Sequence, residues 1–138
     1  TRKIEKCEMK LKKMYARLSN IHNNYIHQTT HMLVSLLPRR IVMEDLNIIG
    51  MMKNRHLSEA VQDQCFHEFI RQMKYKCEWN GIEFIQANRY YPSSKTCSCC
   101  GNVKRDLKLK DRTFVCSECG FTIDRDLNAS INLMRYEG

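Results

Sequence analysis

The spacing of apolar residues in the first part of the chain predicts a long amphipathic helix. From residue 2 to about residue 37, apolar side chains recur at alternating spacings of three and four, which places them on one stripe of a helix: Ile4, Cys7, Leu11, Met14, Leu18, Ile21 and Tyr25. Lysine and arginine fill the other faces. The pairs Ser19-Asn20 and Asn23-Asn24 are poor helix formers, so they favour a kink or break at that point.

Pro38 ends this helix, and a strand is predicted directly after it. The run 40–43 is apolar and contains β-branched residues, which indicates a short buried strand. Glu44 and Asp45 follow at its carboxyl end, where ligands and chemistry collect in open α/β sheets. Residues 47–54 are expected to form a loop.

The pattern then predicts a second helix and a second strand. The helix runs from about Ser58 to Trp79, and Cys65 and Cys77 lie on its apolar face as small core residues. Residues 82–87 are predicted to form the strand. The order strand, helix, strand implies a parallel pair that is joined by a right-handed crossover.

Two matching cysteine motifs stand between residues 91 and 122. Both read C-x-x-C-G, and fifteen residues separate them. Four thiolates at this spacing predict a closed tetrahedral site for structural Zn²⁺, with Cys97, Cys100, Cys116 and Cys119 as ligands. Cys99 is an alternative thiol beside Cys100, but the match of the glycine at 101 to that at 120 favours Cys100. A pair of disulfides is the other interpretation, which a reducing compartment disfavours.

The charge of the chain points to a polyanionic partner. The formal net charge is +8, which favours nucleic acid, although ordinary surface solubility is the alternative. Residues 95–112 hold a cluster of cations, opposed by two aspartates, with a net charge of +4: Lys95, Lys104, Arg105, Lys108, Lys110 and Arg112. No apolar run reaches 18 residues and the chain starts without a secretory signal, so we expect no membrane span and a cytoplasmic location.

Acidic residues flank the cysteine motifs along the chain. Residues 113–116 read as one strand of a hairpin, and a final helix is predicted from Asp126 onward. Glu44 and Asp126 are candidate ligands for catalytic Mg²⁺, which prefers hard oxygen ligands, and Asp124 is an accessory candidate. Both motifs are also common on protein surfaces, and an aspartate at a helix start is favoured by the helix dipole alone.

The order of these motifs resembles a known family. Residues 42–47, with 50–51 and 53–55, resemble the second nuclease motif of the TnpB (OrfB) proteins of insertion sequences. Residues 94–101 and 116–120 resemble their zinc ribbon, and residues 124–132 resemble their third nuclease motif. The type V CRISPR effector nucleases share this layout.

The resemblance implies a RuvC-like nuclease with an RNase H-like fold. Members of the family are RNA-guided, metal-dependent DNA endonucleases that are associated with mobile elements, and they cut with an Asp–Glu–Asp triad. Glu44 then corresponds to the glutamate of the triad and Asp126 to its last aspartate. The implied partners are DNA and a guide RNA, and the implied cofactors are structural Zn²⁺ and catalytic Mg²⁺.

The chain departs from the family pattern before Glu44. It has no aspartate before Asp45, whereas the family's first catalytic aspartate lies on the first strand of the fold. The first strands and the guide-binding N-terminal domains also have no counterpart. We therefore expect an α/β, incomplete RNase H-like fold, divided into a partial RuvC-like domain (1–90), a zinc ribbon (91–122) and the final nuclease motif with its helix (123–138).

These observations favour a nucleic-acid-binding C-terminal fragment of a TnpB-type nuclease that does not cleave on its own. The alternative is an active nuclease whose missing aspartate comes from a partner chain or from a longer protein. Without the first strands, the edge of the 40–43 strand is bare. We expect this edge to be covered by a partner chain, by a second copy or by the long first helix.

Overall fold

The described residues fold into three helices and four short strands. The computed structural model describes residues 1–46, 57–108 and 110–138, and for residues 57–63 it describes the backbone alone. In chain order the elements are α1 (Arg2–Ser35), β1 (Arg40–Glu44), α2 (Leu57–Trp79), β2 (Glu83–Ala87), β3 (Thr113–Val115), β4 (Thr122–Asp124) and α3 (Arg125–Met134). The predicted helices and strands are confirmed, whereas the predicted loop at 47–54 lies outside the described residues.

The chain forms two compact units and crosses between them both before β1, between Arg39 and Arg40, and inside β2, between Phe84 and Ile85. The first unit contains α1 and α2. The second contains β1, the cysteine motifs, β3, β4 and α3.

In the first unit α1 is one continuous helix through residues 19–24, so the predicted break does not occur. Its C-terminal third packs on α2 through the buried side chains of Ile26 and Val34. On α2, Met73 and Cys77 are fully buried, as expected for core residues. Cys65 is half-buried, and its Sγ lies 3.8 Å from Nδ1 of His22.

The N-terminal apolar stripe of α1 is exposed. Six of its side chains are between 46% and 69% exposed: Ile4, Leu11, Met14, Leu18, Ile21 and Tyr25. Cys7 is exposed as well. The helical spacing that the sequence predicts is therefore present, but within the described residues these side chains stay largely exposed, unlike those of an ordinary packed apolar helix face.

A buried polar cluster fixes the position of α1 against α2. The hydroxyl of Thr30 donates a hydrogen bond to Oε1 of Gln72 (3.0 Å) and accepts one from Nζ of Lys76 (2.7 Å). Thr30 and Gln72 are fully buried, so a shift of either helix would deprive Oε1 of Gln72 of this buried partner. Desolvation lowers the pKa of Lys76. Hydrogen bonds from Arg71 and then Gln72 lower the pKa of Glu68 to about 2.

In the second unit a small core forms around Phe114. This side chain is fully buried with Cys97 and Cys116, and β3 and β4 pair antiparallel so that Phe114 stands opposite Ile123. Helix α3 packs against β1, β3 and β4. The core is small, so the unit has little apolar burial from which to draw its stability.

Strands β1 and β2 form a two-stranded sheet in the described part of the chain. Their predicted parallel orientation stays a prediction. All five residues of β1 are half-buried, so the expectation of a buried strand is wrong. The physical reason is that a strand with a single described neighbour cannot bury both of its faces and both of its edges.

We expect the substitution Met73→Ala to lower the free energy of unfolding by about 3 kcal/mol, because it removes a fully buried side chain and leaves a cavity. Urea unfolding followed by far-ultraviolet circular dichroism measures this change. The matched control is Met9→Ala on α1, where the side chain is 59% exposed and the loss should stay below about 0.5 kcal/mol. Equal losses in the two variants would contradict the described packing of α2.

Candidate metal centre and carboxylate site

Four cysteine side chains converge at one point in the second unit. The sulfur atoms of Cys97, Cys100, Cys116 and Cys119 all lie within 4.8 Å of one another. The Cys97–Cys119 pair of sulfurs is 3.8 Å apart and the Cys100–Cys116 pair is 3.6 Å apart. Tetrahedral Zn–S bonds of about 2.3 Å place sulfurs about 3.8 Å from one another, so these separations fit a four-thiolate zinc site.

The same distances decide against the disulfide interpretation. A disulfide joins its two sulfurs at about 2.05 Å, far shorter than the separations in the cluster. All eight cysteines are free. Cys99 is exposed and lies outside the cluster, whereas its neighbour Cys100 belongs to it.

The two cysteine motifs have the same backbone hydrogen bonds. In the first, Gly101 N donates to Cys97 O (2.8 Å) and Cys97 N donates to Asn102 O (2.8 Å). In the second, nineteen positions later, the glycine at 120 and the cysteine at 116 form the equivalent bonds at 3.1 and 2.9 Å. Both glycines have positive φ angles, 80° and 73°, a conformation that glycine adopts without steric cost. The backbone therefore folds each motif into the same tight turn.

The electrostatics of the cluster favour a cation. A backbone N–H of Cys119, then one of Glu118 and the neighbouring thiols, lower the pKa of Cys116 to about 6. Phe121 N–H acts in the same direction on Cys119, but desolvation and the surrounding sulfurs outweigh it and raise the pKa of Cys119 to about 12. The cluster therefore resists carrying four negative charges by itself, and a bound divalent cation would relieve that repulsion.

Helix α3 holds the first cysteine motif through two buried amides. Asn128, which is fully buried, donates to Thr96 O (2.7 Å) and accepts from Ser98 N (3.0 Å). Asn132, one turn later and 5% exposed, donates to Thr96 O and to Ser93 O, both at 2.7 Å. These bonds join α3 to the segment that leads into Cys97.

The two carboxylates at the end of β1 have different partners. Asp45 forms an ion pair with Arg89 at 3.2 Å and accepts a bond from Nε2 of Gln86 at 3.4 Å. Glu44, the predicted catalytic residue, accepts a hydrogen bond on Oε1 from the hydroxyl of Ser93. Glu44 is therefore held by a neutral group, whereas a guanidinium balances the charge of Asp45.

The two aspartates of the third motif also differ. Asp124 is the N-cap of α3, and its Oδ1 accepts from the backbone N–H groups of Asp126 (2.9 Å) and Leu127 (3.0 Å). This capping role is sufficient to explain why an aspartate stands at position 124. The side chain of Asp126 is 73% exposed and lies 3.5 Å from the guanidinium of Arg125. Among the described residues the cysteines form the group of at least three ligating side chains, and neither Glu44 nor Asp126 joins such a group.

Of the six cations in the 95–112 cluster, which are candidates for binding nucleic acid, five are exposed: Lys95, Arg105, Lys108, Lys110 and Arg112. Lys104 is half-buried, and its Nζ donates to Val115 O at 3.1 Å. The ammonium group of Lys104 thus uses a hydrogen bond within the cysteine module, whereas the other five charged groups face solvent.

Sequence reasoning did not assign a task to Ser93, Asn128 or Asn132. The sequence does indicate that the two asparagines are buried and hydrogen-bonded. They stand four residues apart among apolar residues of a helix, and a polar side chain on a buried helix face must find hydrogen-bond partners. Ser93 had no such signal, since a serine in a loop is ordinarily a surface residue.

A family model matches a continuous stretch of just under half of the chain. Residues 66–133 match the family model described as "Cas12f1-like, TNB domain". This range includes both cysteine motifs and nearly all of α3.

Individual relatives match over most of the chain. A protein of Streptomyces pristinaespiralis, whose name describes it as a candidate RNA-guided DNA endonuclease, is 34% identical over 130 residues, which is 94% of this chain and 32% of that protein. InsQ of Escherichia coli, which carries the same description, is 28% identical over 94% of this chain and 36% of its own length. The CRISPR-associated endodeoxyribonuclease Cas12f1 of Sulfoacidibacillus thermotolerans is 27% identical over 85% of this chain and 28% of its own length.

Solved structures share the fold. A cryo-EM structure of a complex of Cas12f1, single guide RNA and target DNA matches with a TM-score of 0.56 and 20% identity, covering 83% of this chain and 32% of that chain. A CRISPR–Cas12f ternary complex matches with a TM-score of 0.57 and 21% identity, covering 89% of this chain and 25% of that chain.

The fold and the four-cysteine module thus match part of Cas12f1 and its relatives. The chain is similar to the TnpB-like proteins and to Cas12f1 over most of its length, so the resemblance that the order of its motifs predicts is confirmed. It spans about a third of the length of the curated relatives that it matches. None of the helices in the described residues is long and apolar enough to cross a membrane.

We expect the purified chain to retain about one Zn²⁺ after dialysis, because four thiolates in this geometry form a closed site. Inductively coupled plasma mass spectrometry measures the metal content. Cys100→Ser should lose most of the zinc. The matched control is the adjacent Cys99→Ser, which should keep it because Cys99 lies outside the cluster. Equal loss of zinc in both variants would show that the ligand set is wrong.

Proposed function

We propose that this chain is the nucleic-acid-binding C-terminal part of a TnpB-type RNA-guided DNA endonuclease, and that it does not cleave DNA by itself. The observation that carries the proposal is the alignment of 94% of the chain with about a third of a candidate RNA-guided DNA endonuclease. The four-sulfur cluster inside the aligned region supports it, because the predicted zinc ribbon requires that cluster.

The metal of the cluster is Zn²⁺, held by Cys97, Cys100, Cys116 and Cys119. Zinc suits four thiolates in a tetrahedral arrangement and has no redox chemistry, so its task here is to stabilise a module with a very small core. The thiols must stay reduced to bind it, which supports a cytoplasmic location.

Glu44 and Asp126 are the two carboxylates that this chain contributes to a nuclease site. Their oxygens are the hard ligands that Mg²⁺ prefers, and bound Mg²⁺ stabilises charge on the attacking and leaving oxygens of a phosphodiester. The neutral partner of Glu44 leaves that carboxylate available to a cation. Asp126 lies 3.5 Å from the guanidinium of Arg125, but its side chain is 73% exposed, so a cation can still reach it. The chain has no aspartate before Asp45, so the family's first ligand is missing and cleavage by this chain alone is not expected.

The RNase H-like fold of this chain is incomplete, and further chain covers its open surfaces. In the part of the chain that the structure describes, the sheet that contains β1 has two strands, and an isolated two-stranded sheet has marginal stability in water. Large apolar side chains also stand exposed along α1. Both features support coverage by a partner chain, a second copy or the remainder of a longer protein.

The exposed cations of the ribbon contact the phosphate backbone of nucleic acid. Contacts of this kind position a protein on DNA or RNA without reading its sequence, and they release counterions on binding. DNA and a guide RNA are the proposed partners. The support is a solved structure with the same fold, which is a complex of Cas12f1 with single guide RNA and target DNA.

We expect the double substitution Arg105→Gln and Lys108→Gln to weaken binding of a 20-nucleotide single-stranded DNA in a salt-dependent way. Loss of two phosphate contacts should flatten the slope of log K against log salt by about 1.4. Fluorescence anisotropy at several salt concentrations measures the slope.

The control pair is Lys12→Gln with Lys13→Gln on α1, which removes the same charge from two exposed positions. These substitutions should leave the slope nearly unchanged. If both pairs flatten it equally, net charge explains the binding and the ribbon is not the contact surface.

We expect the wild-type chain with Mg²⁺ to bind single-stranded DNA and to leave it uncut. Denaturing gel electrophoresis of end-labelled DNA detects cleavage, with and without any co-purifying protein or RNA. Cleavage by the isolated chain that Glu44→Gln and Asp126→Asn both abolish would overturn the proposal of inactivity. It would favour the alternative, an active nuclease. Cleavage that appears with a co-purifying protein would favour a missing ligand supplied by a partner.

A further inference from the structure

The environment of Glu44 contains a contact that neither its own motif nor the cysteine motifs explain. The hydroxyl of Ser93 donates a hydrogen bond to Oε1 of Glu44. Ser93 is 4% exposed and lies between β2 and the first cysteine motif. A buried hydroxyl that donates to a carboxylate restricts the side-chain rotation of that carboxylate.

The backbone of Ser93 is itself held on both sides. Its N–H donates to Tyr91 O (2.9 Å), and its carbonyl accepts from Nδ2 of the buried Asn132 (2.7 Å). Thr96 N donates to Pro92 O at 3.0 Å, which closes a turn around Ser93. The backbone that carries this hydroxyl is therefore fixed by hydrogen bonds. The hydroxyl has little freedom to follow the side chain of Glu44 if that side chain moves.

A comparison with the adjacent carboxylate, Asp45, shows why the hydroxyl of Ser93 matters for Glu44. Asp45 is paired with the guanidinium of Arg89, which balances its negative charge. A neutral hydroxyl on one oxygen of Glu44 leaves the whole negative charge on that carboxylate. It also leaves the second oxygen, Oε2, free of that bond. Of the two acidic side chains at the end of β1, Glu44 is thus the one prepared for a cation.

We propose that Ser93 is a positioning residue for Glu44, which it holds through Oε1 so that Oε2 faces a divalent cation. This inference rests on the proposed function, in which Glu44 binds Mg²⁺. Ser93 would act as the outer partner of a ligating carboxylate. Loss of such partners typically weakens metal binding by about 10- to 100-fold.

Carboxyl labelling of the full chain tests the inference one residue at a time. Carbodiimide and glycine ethyl ester modify free carboxylates, and peptide mass spectrometry gives separate rates for Glu44 and Asp126. The variants are Ser93→Ala and the matched control Ser94→Ala, which alters the neighbouring serine. Both are compared with wild type at equal zinc content, so that misfolded protein does not contribute.

We expect Ser93→Ala to raise the labelling rate of Glu44 and to leave that of Asp126 unchanged. Added Mg²⁺ should protect Glu44 in the wild type and in Ser94→Ala. The Mg²⁺ concentration that gives half-protection should rise about tenfold in Ser93→Ala. If the role of Ser93 were purely structural, Ser93→Ala would not change the protection of Glu44 by Mg²⁺. It would also not change the labelling of Glu44 without changing that of Asp126.

The outcomes separate the inference from the proposed function. If Mg²⁺ protects wild type and Ser93→Ala at the same concentration, Ser93 does not position Glu44, while the metal-binding role of Glu44 stands. If Mg²⁺ protects Glu44 in no variant, the proposed metal site is wrong and the inference is overturned with it. If Ser93→Ala and Ser94→Ala behave alike in both measurements, the hydrogen bond has no positioning effect.

Discussion

The second unit depends on the hydrogen bonds that two buried amides of α3 make with the segment before and inside the first cysteine motif. Asn128 and Asn132 use their side chains to pair the backbone of Ser93, Thr96 and Ser98. Both amides are buried, so removing either side chain would take from the backbone of Ser93 or Ser98 the partner that it supplies. The apolar core around Phe114 is too small to fix α3 in one place, and the amides supply that restraint.

The same two residues determine which way Asp126 points. Asp126 precedes Asn128 by two residues, which corresponds to a rotation of about 200° around the helix. The face of α3 that carries Asn128 is bonded to the first cysteine motif, so Asp126 lies on the opposite face. The high exposure of its side chain agrees with this geometry. The two bonded asparagines and the candidate ligand thus occupy different positions of one short helix, and Asp124 caps its first turn from the position before it.

Much of this architecture could be predicted because it depends on local signals. The helical spacing of apolar residues predicts α1 and α2, and the repeated C-x-x-C-G pattern selects Cys100 over Cys99, in agreement with the sulfur positions. Burial and long-range pairing could not be predicted in the same way. The exposed stripe of α1, the half-buried β1 and the contact of Ser93 with Glu44 depend on which segments meet in space. Lys104 is a further case, because no pattern reveals that its ammonium bonds a carbonyl.

The matching turns of the two cysteine motifs have a consequence for sequence change over evolution. Each turn is built from backbone bonds, and the residues between the paired cysteines contribute no side-chain bond to it. Even Ser98 is held through its N–H and its carbonyl, which Asn128 and Arg135 engage. Mutation at the exposed intervening positions Cys99, Ser117 and Glu118 can therefore alter the chemistry of the ribbon surface while the backbone turns persist. Such a module can acquire new contacts by drift without first losing its metal.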